Sequence, residues 1–157
     1  MTPAAGGATS PYVAVVGAGG VDVAPEVLAV AEAVGAELGR RGAVVVTGGL
    51  GGVMEAACRG AWSAGATTLG ILPGGDRGAA NPFVSVAVAT GLGELRNGLV
   101  VRSADAVVAI AGGAGTLSEI AFALKAGKPV AGIGTWRIDG VTDAADAATA
   151  VALVFGD

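Results

Sequence analysis

Two glycine-rich segments and one charged side chain carry most of the chemistry that this sequence offers. Gly112-Gly113-Ala114-Gly115-Thr116 runs from an apolar stretch straight into a helical one. Small residues at such a junction let an anion reach backbone N–H groups at the positive end of a helix dipole. The same residues support a second reading, because Thr116-Leu117-Ser118-Glu119 matches a capping box in which Thr116 and Glu119 satisfy the first donors of the helix. Gly48-Gly49-Leu50-Gly51-Gly52 offers another approach free of side chains, with more glycine than a turn requires. Arg96 opens a further helical stretch, where its guanidinium could hold a phosphate or carboxylate bidentately; an exposed surface arginine is the alternative.

Other chemistries are disfavoured by what is missing. Gly17-Ala18-Gly19-Gly20 has Asp22 where G-x-G-x-x-G needs its third glycine, and the second apolar run ends in Thr47 rather than an acidic residue, which argues against a nicotinamide or flavin site. No glycine loop carries the Lys-Ser/Thr pair of a P-loop. A net charge of −4 with scattered basic residues argues against a nucleic-acid partner. One cysteine and no histidine rule out an internal disulfide and a Cys/His zinc cluster. Asp22, Asp76 and Asp105 are carboxylates that magnesium could use, but they are too scattered to nominate a metal site, and none is predicted. Met54, Trp62, Phe83 and Trp136 are candidates for an apolar wall, with ordinary core packing as the rival role.

The elements that must position these loops alternate. Strands are predicted over Pro11–Val16, Ala43–Val46, Thr67–Leu72, Val84–Ala89, Ala106–Ala111 and Pro129–Ile133. Helices are predicted over Pro25–Arg40, Val53–Ala64, Glu94–Ser103, Thr116–Ala126 and Asp143–Phe155. Runs such as Val44-Val45-Val46 and Ala106 to Ile110 are continuously apolar, the mark of parallel strands buried on both faces. The expected fold is therefore α/β and doubly wound, Rossmann-like, a mostly parallel sheet of about six strands with helices on both faces. Residues 11–157 fit a single nucleotide-binding domain, and Met1 to Ser10 read as a flexible leader with no signal-peptide pattern. Mean hydropathy is +0.71, yet polar residues or glycines interrupt every apolar run too early for a membrane helix. A cytoplasmic protein without a membrane partner is expected. Ala29, Ala33, Ala36, Ala56, Ala57, Ala61 and Ala64 suggest weakly charged helix surfaces, and so a homo-oligomer, dimer or tetramer.

From about Tyr12 to Gly134 the pattern resembles the LOG-like (SLOG) family, once mislabelled lysine decarboxylases, and within it the branch of molybdenum cofactor carrier proteins. Val46-Thr47-Gly48-Gly49 with Gly51-Gly52-Val53-Met54 is similar to the family's first glycine motif. Gly112 to Glu119 is similar to its signature P-G-G-x-G-T-x-x-E. The resemblance implies a phosphorylated small-molecule ligand, a nucleoside monophosphate or a molybdopterin-type cofactor, held without any required cofactor. Gly17, Gly19, Gly48, Gly49, Gly52, Met54, Gly112, Gly113, Gly115 and Thr116 would bind it. In the family's phosphoribohydrolases, which cleave the N-glycosidic bond of cytokinin nucleoside monophosphates, the catalytic arginine and glutamate correspond to Arg96 and Glu119. Ala111 stands where those hydrolases have proline, Asn97 where they usually have lysine, and Glu55 where a glycine is common. The departures favour a carrier or sensor over a hydrolase.

Overall fold

The computed structural model describes residues 10–157. All but the last residue of the predicted leader falls outside them. Strands β1 (Tyr12–Gly17), β2 (Val44–Thr47), β3 (Thr68–Leu72), β4 (Val86–Ala89), β5 (Ala106–Ile110), β6 (Val130–Ile133) and β7 (Val141–Asp143) form one sheet. Its order is β4-β3-β2-β1-β5-β6-β7, and every neighbouring pair is parallel. Helices α1 (Pro25–Arg40), α2 (Val53–Ser63), α3 (Arg96–Arg102) and α4 (Ala114–Lys125) connect strands, and α5 (Ala147–Phe155) follows β7.

Alternation along the strands divides the core in two. Val13 and Val15 of β1 join one buried cluster with residues of α1, α2 and α5. Ala14 and Val16 join the other, with residues of α3 and α4. Both faces of the sheet are thus covered, which is why its central strands read as unbroken apolar runs. Strand order reverses beside β1: β2 lies on one side, and the chain returns through β5 on the other. The carboxyl ends of β1 and β5 meet at this switch point, where open α/β sheets place their ligands.

The expected fold is present, with local differences. The sheet has seven strands; the unpredicted β7 is a three-residue edge, Val-Thr-Asp, with no apolar run to announce it. The expected helix from Glu94 begins instead with a 3-10 turn, Gly93–Leu95, and α3 starts at Arg96. Asp146 caps α5 by accepting the Thr149 N–H at 2.8 Å, so that helix starts later than Asp143. The alanines expected to build an oligomer surface are partly spent inside the chain. Ala56, Ala57 and Ala61 are buried, because α1 and α2 meet almost backbone to backbone at Gly35 and Gly60.

Candidate functional site

A cleft of about 180 Å³ opens at the switch point between β1 and β5. Gly17 ends β1 on its floor. A Cβ there would lie 2.3 Å from the Ile110 carbonyl oxygen, so only glycine lets the two strand ends approach this closely. Gly19 follows on the rim, against the Met54 methyl. The Ala18 carbonyl accepts the Val53 N–H at 2.9 Å, tying the loop after β1 to the start of α2 and bringing Met54 to the cleft wall.

The opposite wall is the start of α4. Gly113 is the residue before the first helical turn, and no side chain caps it. Because α4 begins at Ala114, Thr116 and Glu119 each stand three positions too deep to form the expected capping box. The first N–H groups of the helix therefore keep the free valence that an uncapped N-terminus always has. Gly113, Gly115 and Thr116 present that end to the cleft. Gly112 has φ +97, and a Cβ there would collide with Thr116 Oγ1 at 2.2 Å, so the loop closes tightly over the threonine.

Two side chains of opposite charge face the cavity. Arg96, half-buried at the first position of α3, donates weakly from Nη2 to the Gly48 carbonyl at 3.4 Å. Its Nη1 donates to Asn97 Oδ1. Its Nε is buried and has no partner among the described residues. A Cβ at Gly48 would sit 2.6 Å from Arg96 Nη2, so that glycine makes room for the guanidinium. Burial lowers the Arg96 pKa, and the Glu119 carboxylate acts the other way. Glu119 is only 8% exposed, lines the cleft, and makes no hydrogen bond or ion pair among the described residues. Burial raises its pKa from 4.5 to about 7, against the opposing pull of Arg96. The site thus couples a buried orphan donor, a carboxyl able to exchange a proton near neutrality, and free backbone donors. Buried polar groups without partners are rare, and here one such donor shares a cleft with a nearly buried carboxyl that makes no hydrogen bond among the described residues.

Residues 10–154 match the model of the SLOG cluster4 family. The chain belongs to that family. An uncharacterized protein of Archaeoglobus fulgidus is 44% identical over 121 residues, 77% of this chain and 78% of that protein. Among solved structures, the molybdenum cofactor binding protein of Rippkaea orientalis superposes with a TM-score of 0.88 at 34% identity, covering 94% of this chain and 96% of the other. The Moco carrier protein of Chlamydomonas reinhardtii gives 0.85 at 37%, with 94% and 96% covered.

In this SLOG cluster4 member most residues singled out from the sequence converge on one cavity: Gly17, Gly19, Gly48, Met54, Arg96, Gly113, Gly115, Thr116 and Glu119 all line it. Gly49, Gly52 and Gly112 do not, and they act behind it. Gly49 takes φ +78 and donates its N–H to Thr47 Oγ1 at 3.0 Å. Gly52 takes φ +66 and packs against the Ala18 carbonyl. Asn97 lines the cleft and was missed as a binding residue; its place beside Arg96 was the available signal. Glu55 points elsewhere, pairing with Arg59 at 3.8 Å, so its difference from the hydrolases does not alter this cavity. Trp62 and Phe83 pack on each other at 5.8 Å, away from the site. Asp76 caps a 3-10 turn and Asp105 accepts the Tyr12 N–H; among the described residues no cluster of metal-ligating side chains forms. No helix among them is long and apolar enough to cross a membrane.

Proposed function

We propose that this cleft binds the phosphorylated end of a molybdopterin-type cofactor and that the protein acts as its carrier. The observation that carries the reading is that Arg96, whose Nε is buried without a partner among the described residues, lines the same cavity as the uncapped start of α4. A phosphate would satisfy both, accepting from backbone N–H groups and from the guanidinium. A neighbouring anion would favour the protonated form of Glu119, which would then donate a hydrogen bond rather than repel. At about 180 Å³ the cleft is smaller than the roughly 300–1,000 Å³ of pockets that enclose a whole ligand. It suits the anionic end of a larger molecule. The solved relatives described as molybdenum cofactor binding or carrier proteins support the same cargo.

One observation favours hydrolysis of a nucleoside 5′-monophosphate instead. Glu119, with a pKa near 7 and Arg96 close by, is suited to general acid or base work on an N-glycosidic bond, in which water would release the free base and ribose 5-phosphate. Against it, Ala111 takes φ +49 at the entrance to the loop. A proline ring, fixed near −65°, cannot adopt that angle, so this loop differs from the proline-led loop of the hydrolases.

The test is to mix the protein anaerobically with cofactor released from a molybdoenzyme, pass it through a sizing column, and measure molybdenum and pterin in the protein peak. Co-elution with the parent, lost in Arg96→Ala, supports carriage. Parallel incubation with AMP and an N6-substituted AMP distinguishes the alternative: release of free base that vanishes in Glu119→Ala establishes the hydrolase. A homo-oligomer would draw on α3 and α4, where Leu99 and Phe122 are 40% and 49% exposed; light scattering measures it.

A further inference from the structure

The loop that carries the free backbone donors is held from behind by its neighbour. After β6, the segment Gly134-Thr135-Trp136 runs alongside the turn from β5 into α4. The Ala111 N–H donates to the Ile133 carbonyl at 3.1 Å. Thr135 Oγ1 donates to the Ala111 carbonyl at 2.7 Å. Trp136 Nε1 donates to the Gly113 carbonyl at 3.0 Å. Two consecutive side chains from one loop thus take two carbonyls of another, leaving only the Gly112 carbonyl between them. Neither Thr135 nor Trp136 lines the cleft, while Gly113 does.

In a planar trans peptide the C=O and the following N–H point in opposite directions. A carbonyl drawn toward Thr135 therefore turns the Gly112 N–H away from that loop; the Gly113 carbonyl, which also accepts the Leu117 N–H at 3.0 Å, is held by Trp136 and the first bond of α4 together, and the Ala114 N–H is turned away with it. Such restraint matters here because Ala111 at φ +49 and Gly112 at φ +97 lie in left-handed conformations, which a non-glycine residue such as Ala111 keeps only when its surroundings impose them.

We propose that Thr135 and Trp136 are positioning residues: by holding the carbonyls of Ala111 and Gly113 they fix Gly113, which lines the cleft, where its backbone can meet the phosphate of a bound ligand. The role rests on the reading of the cleft as a phosphate site. It also makes Trp136, 41% exposed, a reporter, because its indole nitrogen is bonded to the carbonyl of Gly113, which lines the cleft.

The experiment uses inorganic phosphate as the probe, with sodium chloride at matched ionic strength as control. Trp62→Phe leaves Trp136 the single tryptophan and serves as parent. Phosphate is expected to shift the Trp136 emission saturably. Thr135→Val, close in shape but without the hydroxyl, weakens phosphate binding roughly five- to tenfold, the effect of one lost hydrogen bond. Thr135→Ser restores it. Trp136→Phe, followed by calorimetry, weakens it by a similar factor, while the melting temperature without phosphate stays within a few degrees of the parent. Unchanged affinity in both Thr135→Val and Trp136→Phe, with the parent binding, overturns the positioning role and leaves the phosphate site standing. No binding by the parent overturns the phosphate site and the positioning role with it.

Discussion

The seam between α1 and α2 and the cleft beside β1 are both built from glycine, and glycine does opposite things in them. At the seam it brings backbone against backbone: a Cβ on Gly35 would lie 2.0 Å from the Ala57 carbonyl oxygen, and one on Gly60 would lie 1.9 Å from that of Glu32. On the cleft wall formed by the start of α4 it keeps space empty. A Cβ on Gly113 meets nothing within 4 Å, and one on Gly115 meets only Asn97 Nδ2, at 3.7 Å. Glycine content alone does not distinguish the two uses. What distinguishes them is whether the vacated volume is filled by the protein or left for something else.

The largest effect should follow from filling the seam. Gly60→Ala forces two helices apart against rigid backbone and should cost about 3 kcal/mol in urea unfolding, at the upper end of overpacking penalties. Ligand affinity of the folded fraction should be unchanged.

Glu119→Gln tests the cleft from the stability side. The native carboxyl holds its proton up to about pH 7, against 4.5 for an unperturbed glutamate. Between those values the native state binds a proton that the unfolded chain has lost, so stability falls as pH rises through the window. Glutamine carries no such penalty. The variant should therefore be more stable than the parent by up to about 3 kcal/mol at pH 8 and by less than about 1 kcal/mol at pH 5. Thermal melts at the two pH values measure the difference. Equal gains at both would show that Glu119 is not destabilised by ionisation.

Lys128→Met addresses the frame behind Arg96. Lys128 Nζ donates to the carbonyls of Val101 at 2.8 Å and Arg102 at 3.0 Å, closing the end of α3, the helix that Arg96 begins. Losing these charge-assisted bonds should cost about 2 kcal/mol, read by denaturant unfolding.

Gly115→Ala should have the smallest effect on folding, and of the opposite sign to Gly60→Ala. Inside the first turn of α4, alanine gains up to about 1 kcal/mol over glycine. The added methyl stands in the cleft, so phosphate affinity should fall while the melting temperature rises. A loss of stability instead would place Gly115 with the seam glycines.

Much of this was legible in the sequence, for a physical reason. Continuously apolar strands and helical periodicity report burial directly, so the order of elements could be read from Tyr12 to Phe155. The glycine loops could be located because they follow those strands. Contacts between distant segments left no such trace. The α1–α2 seam turned alanines that look exposed on an isolated helix into buried ones. The capping-box pattern at Thr116 and Glu119 was misleading because α4 starts at Ala114, which sends Glu119 toward Arg96 instead of back to the helix end. β7 is too short and too polar to read, since only Val141 of its three residues packs against the core. Thr135 and Trp136 act through carbonyls in another loop, and a sequence carries no mark of that.

The central claim is that a phosphorylated ligand sits between the start of α4 and Arg96. A crystal structure of the protein with bound molybdenum cofactor tests it most directly. The account predicts the cofactor's phosphate within hydrogen-bond distance of backbone N–H groups between Gly112 and Thr116 and of Arg96 Nε. A cofactor phosphate bound elsewhere, such as in the hollow beside Glu55 and Arg59, with this cleft holding only water, would contradict it.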